Sequence, residues 1–137
     1  MAGGGWIASP AGAYAAAPGT AGKLTFALVV RYQPTATLPT GNADFKLNTA
    51  KLDFRSTAFD WLATAGSMVC LQGSGTLNGA PGYAFAVVAR DGVSNDAIHV
   101  RIWHMTTGAV VYDNQPGDPI LSEPAMNLGG GSVQAHR

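Results

Sequence analysis

Three histidines, His99, His104 and His136, are the side chains of this 137-residue chain best suited to metal binding or proton transfer. His99 and His104 stand five apart on one predicted strand. They therefore point to opposite faces and could share a metal only across a bulge. His136 lies at the chain end, so the three are expected to be surface histidines and not a converging ligand set. Acyl transfer lacks its usual signature: there is no G-x-S-x-G elbow, and no motif sets a serine beside a histidine and an acid. Glycoside hydrolysis needs two facing carboxylates. The one glutamate, Glu123, falls in a proline-rich loop, and the aspartates fall mostly in turns. Asp60 beside Trp61 reads as a turn or edge hydrogen-bonder. Gly73, Gly75 and Gly79 miss the dinucleotide-binding spacing and open no helix. No catalytic residue is expected.

Binding chemistry offers more. Asp91, Asn95 and Asp96 bracket one loop, and Asp113, Asn114 and Asp118 lie near another. Hard oxygen ligands on a turn suit calcium, although the ion takes six to eight oxygens and each loop brings three such residues. The same residues are ordinary turn formers. Calcium is thus the one cofactor with a candidate site, at Asp91, Asn95 and Asp96. Of the three tryptophans, Trp6 and Trp61 sit in apolar context and are expected to pack in the core. Trp103 alternates with His99 and Arg101 on a polar face, opposite Ile98, Val100 and Ile102. Trp61, His99, Arg101 and Trp103 are accordingly the candidate ligand-binding residues. Cys70, the single cysteine, excludes an internal disulfide and a cysteine-based zinc site. With no basic neighbour to lower its pKa, it is expected to be an inert free thiol.

Strands must position these groups. Lys23 to Tyr32 alternates with the period of a half-buried strand, placing Leu24, Phe26, Leu28, Val30 and Tyr32 on one face. Ala43 to Leu47 and Lys51 to Arg55 follow the same rule. Met68 to Leu77 and Tyr83 to Asp91 flank the turn-rich link Asn78 to Gly82 and predict a hairpin. Asp96 to His104 and Val110 to Asn114 are two further strands around the turn Thr106-Thr107-Gly108. The one 3.6-period candidate, Phe59 to Ala65, is short and built of residues that suit strands. Ser9 to Gly22 and Gln115 to Asn127 read as loops. Glycines inside a strand mark a bulge or bend, so Gly73-Ser74-Gly75 predicts curvature. The expectation is a single all-β domain over 1–137: a small antiparallel barrel of about eight to nine strands, or a two-sheet sandwich. The glycine triplets at both ends predict that the two termini lie side by side, with Val133 and Ala135 facing inward near Trp6.

Eight basic and eight acidic residues cancel, and charged residues make up 12% of the chain. A nucleic-acid binder needs a basic stripe, which is missing. No apolar run approaches the roughly 20 residues of a membrane helix, so no membrane insertion is expected. The opening Met1-Ala2-Gly3-Gly4-Gly5 has neither the basic nor the apolar region of a signal peptide.

Read in order, Gly3-Gly4-Gly5-Trp6-Ile7, Ser9-Pro10-Ala11-Gly12-Ala13-Tyr14, Pro39-Thr40-Gly41-Asn42, Phe59-Asp60-Trp61-Leu62 and Gly73-Ser74-Gly75-Thr76-Leu77-Asn78-Gly79 form one motif series. It continues through Arg101-Ile102-Trp103, Val110-Val111-Tyr112-Asp113-Asn114 and Gly129-Gly130-Gly131-Ser132. The series resembles the post-COAP module of bacterial secreted proteins along nearly the whole chain. The resemblance implies an accessory module at the C-terminus of large secreted or cell-surface proteins, often behind adhesive repeats, here excised without a signal peptide. The chain departs from the family at His104, where an acid usually follows the tryptophan, and at Cys70, a usually polar position. A shorter likeness, Gly73-Ser74-Gly75 with Gly79 and Gly82-Tyr83, resembles the central hairpin of dirigent and allene-oxide-cyclase barrels.

Three functions follow as expectations. The first is a non-catalytic extracellular accessory module whose surface meets a protein or glycan partner. The second is a barrel that binds or cyclises a hydrophobic molecule inside, and the third is a glycan-binding module using Trp103 or Trp61. A connected interior cavity favours the second, an exposed aromatic shelf the third, and a packed interior without a shelf the first.

Overall fold

A computed structural model describes residues 1–35, 37–92, 95–119 and 122–134. Nine strands run β1 (Ala2–Ser9), β2 (Gly22–Tyr32), β3 (Pro39–Leu47), β4 (Leu52–Ala65), β5 (Met68–Leu77), β6 (Ala80–Arg90), β7 (Ala97–His104), β8 (Val110–Asp113) and β9 (Gly130–Gln134). They form one antiparallel sheet in the order β8-β7-β6-β5-β4-β3-β2-β1-β9. Every neighbour is also the next strand in sequence, except β9, which returns to β1. Hairpin connections, tight between β5 and β6 and a longer arm between β1 and β2, explain this meander, because they pair adjacent strands without a crossover.

The ladder is not closed into a continuous barrel. Its two ends are instead stitched together by short bridges. Tyr14, on the arm that follows β1, bridges Tyr112 of β8, and Ala97 of β7 bridges Asn127 just before β9. Backbone bonds from Ala15 N to Val111 O, Ile98 N to Met126 O and Gly129 N to Trp6 O complete the seam. Residues 126–134 thus run first along β7 and then along β1. The two chain ends do lie side by side: β1 pairs β9 from Ala2↔Gln134 to Trp6↔Gly130. Val133 is buried, whereas Ala135 and His136 fall outside the described residues.

The alternating residues converge on one interior. Phe45, Phe54 and Phe85 are fully buried, and their ring centroids lie 5.2 to 6.1 Å apart, with Phe59 6.1 Å from Phe85. The curvature predicted at Gly73-Ser74-Gly75 is present, but the bulges sit in the partner strand, between Ser56 and Ala58 and between Phe59 and Trp61. The glycines make room for them. A Cβ on Gly75 would collide with the Arg55 carbonyl and lie 2.8 Å from Phe54 Cζ, and one on Gly73 would collide with the Ala58 carbonyl and lie 3.0 Å from Phe85 Cε1. Gly75→Ala is therefore expected to cost about 1–3 kcal/mol through overpacking, read as a lower urea midpoint with an unchanged slope.

Several element boundaries differ from the sequence expectation: β3 begins at Pro39 and not Ala43, and β4 runs past Arg55 to Ala65. Phe59 to Ala65, whose residues suit strands, form the far half of β4 and pair with β5. The β5–β6 turn is only Asn78-Gly79, with φ of 51° and 85°, so Pro81 and Gly82 belong to β6. Both positive φ values fit the tight turn that matches strand twist.

Candidate functional site

Strand β7 is buried on both faces, and a buried polar cluster forms on its outer one. Ile98, Val100 and Ile102 point into the interior as their alternation requires. His99 and Arg101 point outward, yet His99 is only 1% exposed. The expectation of a surface histidine is thus corrected. The reason is tertiary: residues 115–119 and 122–125 of the proline-rich excursion lie over the outer side of β6 and β7. Arg90 Nη1 holds Glu123 Oε2 and Pro124 O at its far end, each at 3.2 Å, and Arg101 Nη2 holds the carbonyl of Asp118.

Asp113, the last residue of β8, is the hub. His99 Nε2 lies 2.8 Å from Asp113 Oδ1, and Arg101 Nε donates to Oδ2 at 2.7 Å. The backbone N–H of Gln115 donates to Oδ1 at 2.8 Å. An ionised carboxylate only accepts, so the histidine carries a proton on Nε2 on this side. Ser122 Oγ stands 3.4 Å from His99 Nδ1. Burial alone would push the Asp113 carboxyl up, but the bonds from His99, the Gln115 N–H and Arg101 outweigh it and hold the group below the usual carboxylate range. Asn114 serves the same end, accepting from Val100 N at 2.7 Å and donating to Ile98 O at 3.0 Å.

Serine, histidine and aspartate therefore do meet, at Ser122, His99 and Asp113, with no motif in the sequence to announce them. Their chemistry is that of a clasp. The His99 side chain is wholly buried, and Ser122 Oγ is also contacted by Gln115 Nε2 at 3.2 Å. Gln115 further binds Asp118 Oδ2 and the carbonyl of Glu123, so the excursion is knotted to itself as well as to β7. A nucleophile needs an approach for its electrophile and donors aimed at the developing oxyanion.

Of the four candidate ligand-binding residues, the structure brings His99 and Arg101 together and leaves the tryptophans apart. Trp103 stands further along β7 between Ala84 and Val110, and Trp61 is on β4 opposite Gln72. Both rings are half-buried. Trp6 is also half-buried and not in the core: Lys23 Nζ stands 4.3 Å from its ring centroid. Near the candidate calcium loop, Asp96 Oδ1 accepts from Gly92 N at 3.0 Å and Oδ2 from Val133 N at 2.8 Å. That carboxylate clamps β9 to the start of β7. Asp91 donates its backbone N–H to Ser67 O, and Asn95 is exposed. No group of three or more His, Cys, Asp or Glu that could hold a metal occurs among the described residues.

Sequence reasoning also missed Tyr112. It is fully buried, its hydroxyl lies 2.8 Å from Ser9 Oγ, and burial pushes the phenol up to about 12. Cys70 lies half-buried between Ala63 and Val88, and burial raises its pKa. Iodoacetamide at pH 7.5 is expected to alkylate it more slowly than free cysteine, because the thiolate is the reactive form.

Fold and site together define an all-β antiparallel meander whose buried polar cluster locks a long excursion onto the sheet. Compared with protein-family models, curated proteins and solved structures, the chain matches none. No helix among the described residues is long and apolar enough to cross a membrane.

Proposed function

We propose that the domain is a non-catalytic accessory module of a secreted or cell-surface protein and acts through its outer surface. The packed interior carries this reading: the space a barrel would offer a ligand is filled by the rings of Phe45, Phe54, Phe59 and Phe85. The resemblance of the motif series to the post-COAP module supports the extracellular setting. The glycan reading is the weaker one, since Trp61 and Trp103 are half-buried and stand on different strands. Titration with a fatty acid and with an apolar dye, followed by tryptophan fluorescence, tests the reading. No saturable binding is expected, and a 1:1 complex that perturbs the phenylalanine cluster would return the function to the interior.

A further inference from the structure

The β2–β3 and β4–β5 hairpins share only a short base. Between β3 and β4 the ladder covers four pairs, from Asp44↔Arg55 to Leu47↔Leu52. Beyond them β3 continues to Pro39 and β4 to Ala65, and among the described residues no ladder pair joins these halves. The two bulges turn β4 away with β5. The resulting seam opens on a cleft of about 990 Å³ whose walls include Arg31, Tyr32, Thr40, Gly41, Leu62 and Thr64.

One side chain stands where a strand would. Tyr32 Oη donates to Leu62 O at 3.1 Å and accepts from Leu62 N at 3.0 Å. A residue whose N–H and C=O meet the same partner presents both groups to one side of its strand, here away from β5. Thr64, two residues on, presents its pair to the same side by the period of the strand. The phenol hydroxyl thus does for Leu62 what the peptide group of a neighbouring strand does elsewhere in a sheet. The surroundings suit a partner. Val29, Tyr32 and Leu38 are 60%, 42% and 56% exposed, three of the five exposed large apolar side chains among the described residues. Arg31 makes no ion pair among the described residues, and no acid lines the cleft.

We propose that the seam between β3 and β4 docks an extended peptide strand bearing a carboxylate side chain, which pairs with the free edge of β4 and sets its acid on Arg31. The proposal rests on the reading of the domain as a surface-acting module and names its partner class. Main-chain bonds to the edge would supply affinity, and the side chains of alternate residues would supply choice. The incoming strand displaces the Tyr32 hydroxyl, which makes that residue an internal competitor.

Panning a random heptapeptide phage library on the full chain tests it. Enriched peptides are expected to carry Asp or Glu, to lack proline and to favour β-branched residues. Made synthetically, the leading peptide should bind Tyr32→Phe about threefold to tenfold tighter than the parent, since one competing hydrogen-bond pair is gone. N-methylation of its alternate amides should abolish binding, and Arg31→Glu should favour a Lys-for-acid version. Hydrogen exchange should show new protection at Thr64, and in Tyr32→Phe at Leu62 as well. A library without enrichment, or binding indifferent to both Tyr32→Phe and N-methylation, overturns the proposal. Protection at another surface overturns the seam alone and leaves the surface-acting module standing.

Discussion

Deleting Gly129 to Arg137 is expected to abolish cooperative folding. The segment carries β9, whose five residues pair with β1, and Val133, which is 1% exposed. Burying one valine is worth about 1.5–3 kcal/mol, and each ladder bond adds a net of about 1 kcal/mol. The deletion also removes the Asp96 to Val133 bond and the stitch from Gly129 N to Trp6 O. These losses sum to roughly 5 kcal/mol or more, against a total stability of about 5–15 kcal/mol for a domain. Strand β1 would become a bare edge with three successive glycines, an open template for association. Circular dichroism and a thermal melt check this. A truncated chain that melts cooperatively within a few degrees of the parent would show the segment to be a mere tail.

Asp113→Ala is expected to cost about 3–5 kcal/mol, the usual result of removing one partner from a buried charged network. It would leave Arg101 without its carboxylate, the His99 N–H without an acceptor and the Gln115 N–H unpaired. The same carboxyl sets a pH dependence with a definite sign. Its folded pKa lies below its ordinary value of 3.8, so the unfolded chain binds the proton first. The stabilisation is therefore complete above about pH 5 and drains away as the pH falls through 4 toward the folded pKa. Asp113→Asn keeps the shape but removes the titration. Its stability should be lower than the parent's at pH 7 and should change less between pH 5 and pH 3. Urea unfolding across that range measures both, and parallel curves for the two proteins would refute the assignment of Asp113 as the titrating hub.

The Asp113 network also explains why the site was harder to read than the strands. Alternation in Lys23 to Tyr32 and in Asp96 to His104 reports which side chains share a face, because a strand's faces are set by its own backbone. A turn near Asn78-Gly79 and the curvature at Gly73 to Gly75 were legible for the same local reason, while the meeting of the glycine-rich ends is a long-range pairing that their composition only suggested. Alternation assigned His99 to the face opposite Ile98 correctly but could not show that a segment more than fifteen residues away would cover that face. The aspartates 91, 96 and 113 look alike as turn residues. Only the folded chain spends Asp96 on the Val133 and Gly92 amides and Asp113 on His99 and Arg101.

What the amino-acid order alone determined is the all-β class, the strand faces and the absence of a basic stripe, all of which follow from period, turn chemistry and charge count. Tertiary structure alone decided which polar groups meet. It decided that Ser122, His99 and Asp113 form a clasp, that the sheet is stitched and not closed, and that β3 and β4 part beyond Asp44. Such outcomes depend on contacts between residues far apart in sequence, and their energies arise only when packing removes water from both sides of the contact.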